Sequence, residues 1–161
     1  MKKTITILYV LLLTSSHIFS QSFPQHHFKY NGGCSLENKL NTSDEKGNKV
    51  SVYECLIPSS ESVVTAYRVN VITFKYVISD INEYYRSLKI EYSKLGETKN
   101  ITLNGIKAVQ VEEEIDIQGH LMKQISIATL YKNMSITLVL VSNDKSYRSL
   151  LETFKRNISF L

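Results

Sequence analysis

Two hydropathy periods divide this chain. From Lys49 to Ile57, Val50, Val52 and Leu56 fall on one side of an extended segment and Tyr53 and Cys55 on the other, which is the period of a β-strand. Pro58-Ser-Ser-Glu61 predicts a turn, and Ser62 to Tyr76 is again rich in β-branched and aromatic residues. Within it Tyr67, Val69 and Val71 alternate with Arg68 and Asn70, so one face of that strand should be wet. Beyond Gly96, Ile101 and Leu103 lead to an Asn104-Gly105 turn. Ile106–Ile117, Leu121–Tyr131 and Met134–Val141 then read as a meander of three strands, with turns at Gln118-Gly119-His120 and Lys132-Asn133. The last strand is apolar on both faces, which predicts a central position in its sheet.

The second period is helical. Ile81, Tyr84, Tyr85, Leu88, Tyr92 and Leu95 recur at the spacing of one helix face. Asp80 with Glu83 three residues on forms a capping-box pattern, and Gly96 stands where a left-handed C-cap is expected. A second stripe runs through Tyr147, Leu150, Leu151, Phe154 and Ile158, with Asn143 or Asp144 as its cap and Lys155 and Arg156 at the dipole-favourable end. Two single-striped helices, about 81–95 and 144–158, and one antiparallel sheet predict an α+β domain with both helices on one sheet face.

The N-terminus changes where this domain is expected to work. Lys2 and Lys3, the apolar run Ile5–Leu13 and the small polar residues Thr14, Ser15 and Ser16 have the three parts of an export signal. The run falls short of the about 20 residues a membrane span needs. We expect residues 1–20 to be a signal peptide and 21–161 a single domain, periplasmic or secreted, with residues 21–30 an extended leader. The chain carries 19 basic and 15 acidic residues, and loss of Lys2 and Lys3 leaves 17 against 15. That balance, with no basic stripe interleaved with aromatics, argues against nucleic acid as a partner.

Export makes the only two cysteines a disulfide candidate. The midpoint of Cys34 and Cys55 falls in the turn-forming segment Asp44-Glu45-Lys46-Gly47-Asn48. In a hairpin the two would face each other across the ladder or miss by a residue, and closing a loop of roughly 20 residues contributes about 3 kcal/mol. The alternative is two separately placed thiols.

Candidate chemistry is sparse. Glu112, Glu114 and Asp116 alternate on an extended face, with Glu113 on the side of Val111 and Ile115. Calcium sites want about 6–8 oxygens, usually from an Asp/Asn/Gly loop that this run does not form, so a solvated strand face is expected. His26 and His27 point in opposite directions on an extended chain. No cofactor motif, zinc motif or catalytic triad pattern occurs, and no catalytic, cofactor or metal residue is assigned. Four glycosylation-type sequons occur, at Asn41, Asn100, Asn133 and Asn157, where the Ser, Thr and Asn content predicts about two by chance, an excess that decides little.

From about Ser62 to Leu161, the strand pair, helix, Thr-Leu-Asn-Gly-Ile-Lys-Ala at 102–108, the hairpin at Gly119, Tyr131 and the closing Phe-Lys-Arg-Asn-Ile-Ser-Phe at 154–160 resemble the PsbP-like superfamily. The N-terminal third departs from that pattern, and the chain has no Trp. The resemblance implies a non-catalytic accessory or binding domain and transfers no site residue. The expected function is binding of another envelope or secreted macromolecule through a sheet face or edge the helices leave bare, with Tyr67, Arg68 and Tyr131 as contributors. A small-ligand or lipid carrier, with its pocket between helix 81–95 and the sheet, is the alternative. A hydrolase would need His120 or the 112–116 carboxylates to converge on a nucleophile.

Overall fold

The computed structural model describes residues 19–58 and 63–161. Within these, the alternating runs form ten strands in two sheets. Strands β3 (Glu37–Ser43), β4 (Lys49–Pro58), β5 (Val64–Thr73), β6 (Glu97–Leu103), β7 (Ile106–Ile117), β8 (His120–Tyr131) and β9 (Met134–Ser142) make a seven-stranded antiparallel sheet in the order β3-β4-β5-β9-β8-β7-β6. Strand β9 lies between β5 and β8, the central place its two apolar faces call for. The meander turns at Asn104-Gly105 and Gln118-Gly119 have both residues left-handed, as two-residue hairpins require. A smaller sheet joins β1 (Phe19–Phe23), β2 (Phe28–Gly32) and β10 (Ile158–Phe160) in the order β1-β2-β10. Between its first two strands lies a short 3-10 turn, Pro24–His26.

The helices α1 (Ile81–Ser93) and α2 (Tyr147–Asn157) cover opposite faces of the large sheet. On the first face Tyr67, Val69, Ile127, Leu138 and Leu140 meet Leu151 and Phe154 of α2 and Phe28, Tyr30 and Ile158 of the small sheet. On the second face Val109 and Leu130 meet Tyr85 of α1, flanked by Tyr84, Leu88 and Tyr92. Tyr85 is buried yet satisfied, since its hydroxyl donates to the Lys107 carbonyl at 2.5 Å and accepts from the Leu130 amide at 3.1 Å. Tyr84 reaches the Ser135 hydroxyl at 2.7 Å.

The chain is therefore β-rich, built on two sheets, and not the α+β domain with both helices on one face that the stripes predicted. The reason lies in the segment read as a leader. Residues 19–32 pair as a hairpin, Phe19↔Gly32 to Phe23↔Phe28, and β10 adds to it. This second sheet occupies the first face beside α2, and α1 is left to cover the other.

Element ends differ in instructive ways. The Asp80 cap forms as expected, its carboxylate accepting from the Glu83 amide at 2.9 Å. However, α1 ends on Lys94 in a right-handed conformation, and Gly96 is not left-handed. Gly96 is needed for closeness, because a Cβ there would collide with the Glu112 carbonyl oxygen of β7. At α2 the N-cap is Ser146, with no side-chain cap bond. Asp144 instead accepts from the Ser146 amide at 2.7 Å, and Asn143 accepts from the Val64 amide at 2.9 Å. Ile158 leaves the helix to begin β10, where it is buried.

Cys34 and Cys55 form a disulfide, with Cα atoms 6.2 Å apart. They flank the ladder rather than face each other in it, since its last pair is Glu37↔Glu54 and a register shift falls between Asn38 and Leu40. Apart from Phe19 and Ser20, which open β1, the expected signal segment lies outside the described residues. No helix among the described residues is long and apolar enough to cross a membrane.

Candidate functional site

Helix α1 follows β5 and lies over β7 and β6, so it reaches only the half of the second sheet face that carries Val109 and Leu130. The other half is formed by the far ends of β4, β5, β9 and β8. There the cross-strand rows Leu56↔Ala66↔Val141 and Glu54↔Arg68 continue the same face. No helix among the described residues covers them. The result is a trough of about 360 Å³ with Ala66, Met122 and Val141 in its floor and Leu56, Val64 and Ile117 along its sides. Leu56 is 60% exposed, Ile117 44% and Val64 41%. Three large aliphatic side chains gathered in one concavity differ from single exposed apolar residues, which any surface carries.

Polar groups stand around this apolar strip. At one end the Arg68 guanidinium donates through Nε and Nη2 to Glu54 Oε2, at 2.8 and 2.5 Å. The pair is partly exposed and is worth less than about 1 kcal/mol in stability. It holds the long Arg68 side chain along the rim. At the other end the β7–β8 turn brings Gln118 and His120 to the wall, and that turn is held by Asp116 accepting from the Gly119 amide at 2.7 Å. A second hollow of about 370 Å³ adjoins the trough across β4, lined by Ser35, Glu37, Lys39 and the disulfide. Both hollows include Glu54 and Leu56.

Of the three residues expected at an interaction surface, Arg68 lies in the trough and the other two face elsewhere. Tyr67 is on the opposite face, buried with its ring 4.7 Å from Phe154, and burial, with Asp144 nearby, pushes its hydroxyl pKa up. Tyr131 stands at the far end of β8, where its ring tilts on Phe160 and its hydroxyl donates to the Leu161 carbonyl at 2.6 Å. Leu56, Val64, Met122 and Ile117 were not singled out from the sequence. Their apolar parity is visible there, but nothing along the chain says which part of a sheet face a helix will leave bare.

Two carboxylates of the acidic run have cations beside them. Glu114 pairs with Lys123 at 2.6 Å, and Glu112 accepts from the Tyr147 hydroxyl at 2.9 Å with Arg148 at 3.8 Å. Glu113, on the other face as its parity requires, accepts from Gln124 on the neighbouring strand at 2.6 Å. His120 lines the trough, whereas Glu112 and Glu114 lie across the sheet, so these groups do not converge. The adjacent histidines diverge too. His26 is buried against Tyr53, and His27 lies 3.1 Å from the Lys132 ammonium. Among the described residues no group of three or more His, Cys, Asp or Glu is placed to hold a metal ion.

No family model matches the chain, and no curated protein matches it. Among solved structures it is similar to the solution structure of cyanobacterial PsbP from Synechocystis sp. PCC 6803, at 11% identity and a TM-score of 0.46, over 89% of this chain and 92% of that one. It is also similar to the crystal structure of LpqN, involved in cell envelope biogenesis of Mycobacterium tuberculosis. There the identity is 12% and the TM-score 0.36, over 77% of this chain and 90% of that one. Neither likeness transfers an activity or a residue to this chain.

Proposed function

We propose that this chain is an exported, non-enzymatic binding domain that recognises another envelope or secreted protein through the bare half of its second sheet face. The observation that carries the reading is the trough, where aliphatic side chains lie open in a concavity rimmed by Arg68, Glu54, Gln118 and His120. An apolar centre inside a polar rim is the anatomy of a protein contact surface. The disulfide supports an oxidising compartment as the place of work. The alternative, a carrier with its pocket beneath α1, loses its location, because Tyr84, Tyr85, Leu88 and Tyr92 fill that interface.

A photoreactive amino acid placed at Leu56, Val64 or Ile117 in the native host should yield one discrete crosslinked protein. The same residue at Thr153 or Lys89, on the outer surfaces of the two helices, should not. Equal yields from all five positions would overturn the assignment of the trough as the contact surface.

A further inference from the structure

Strand β3 is shorter than the strand it pairs with. The β3–β4 ladder runs from Ser43↔Lys49 to Glu37↔Glu54 and stops, whereas β4 continues through Leu56 to Pro58, paired with β5 on its other side. The chain that could have extended the ladder turns away. Cys34 is tied to Cys55 by the disulfide, and Gln21 of β1 holds Ser35 at 3.0 Å. What remains beside Cys55 and Leu56 is the second hollow, which opens into the trough at Leu56.

Backbone polarity says what this gap takes. The Asp44 amide donates to the Asn48 carbonyl at 2.9 Å where the β3–β4 hairpin closes. In an antiparallel ladder the hydrogen-bonded pairs alternate, so even-numbered residues of β4 turn their N–H and C=O toward β3 and odd-numbered ones toward β5. Leu56 therefore aims both groups at the gap, and no backbone bond among the described residues outside the ladders reaches them. Unpaired strand edges are templates for another chain, and folded proteins usually guard them. Strand β3 is guarded by a bulge and by Glu37 and Lys39, and β6 by Glu97 and Lys99. The edge at Leu56 has an exposed aliphatic residue instead.

Resting on the function proposed above, we propose that the partner docks as an extended polypeptide segment, adding one short strand to β4 at Leu56. The partner residue opposite Leu56 exchanges two main-chain hydrogen bonds with it. Its side chain lies on the Leu56 side of the sheet, as cross-strand neighbours do, and that side is the apolar trough, so this residue is aliphatic or aromatic.

Selection of a random-peptide phage library on the immobilised, disulfide-intact chain, followed by N-methyl scanning of the strongest peptide, tests this. Strand addition predicts about a tenfold loss when the amide opposite Leu56 is methylated and no loss at the next amide along. It also predicts slowed hydrogen exchange of the Leu56 amide in the complex, and loss of binding in Leu56→Pro, a change an edge-facing amide tolerates in the fold. No enriched peptide, or binding indifferent to methylation everywhere, overturns the inference. If such indifferent peptides still lose binding in Val64→Arg or Ile117→Arg, the proposed function survives and strand addition does not. Peptides indifferent to those substitutions as well overturn both. Self-association abolished by Leu56→Pro would assign the edge to a second copy of this chain and overturn the partner assignment.

Discussion

His26 shows how a single polar residue is accommodated beneath the small sheet. Its Nε2 lies 2.9 Å from the Tyr53 hydroxyl, its ring stacks near Phe28, and its buried Nδ1 has no hydrogen-bond partner among the described residues. Burial, with His27 adjacent, holds its pKa below the ordinary 6.5. A depressed pKa in the folded state means the unfolded chain takes up the proton first. Stability is then full above pH 6.5 and is lost as pH falls from there toward the lower folded value. We expect a lower urea midpoint at pH 5 than at pH 7.5, and a smaller difference between the two in His26→Gln. An undiminished difference in that variant would show that the acid sensitivity arises elsewhere. At this scale the sequence was partly legible. The spacing of Cys34 and Cys55 pointed to a bond that forms, and Asp80 to a cap that forms. The burial of His26 was not legible, because it depends on the Phe19–Phe23 hairpin strand folding over Tyr53, a contact far along the chain.

At the scale of elements, the junction between α1 and β6 shows why a residue type can be right and its reason wrong. Gly96 follows the helix as the stop signal required, yet its role is to let the chain pass against the β7 backbone. Gly96→Ala should therefore destabilise the fold by about 1–3 kcal/mol, since backbone on both sides must shift. Gly33→Ala, where an added Cβ meets nothing within 4 Å, should cost far less. Denaturant midpoints of the two variants check this, and equal midpoints would contradict the close approach. The helical stripes and the meander were readable because each residue pattern is settled by neighbours three or four positions, or two positions, away. Strands β1 and β2 were not, because their residues are mixed in polarity and what makes them strands is the pairing itself. Strand β3, exposed throughout, was legible only as the first arm of the hairpin that turns at Asp44–Asn48.

For the whole molecule, the decisive fact is which layer covers which face. A stripe on a helix records that it is buried but not where, so two stripes and one sheet are compatible with either face. The N-terminal hairpin and β10 take the first face beside α2, α1 takes half of the second, and the trough is the remainder. The site is thus a property of coverage, legible only after all layers are placed. Solvent paramagnetic relaxation of methyl resonances, with a neutral gadolinium chelate in the buffer, measures that coverage directly. The structure predicts strong broadening at Leu56, Val64 and Ile117 and protection at Val109 and Leu130, which lie under α1 on the same sheet face. Protection of the first three at the level of the last two would mean that the second face has no bare half, and would contradict the account.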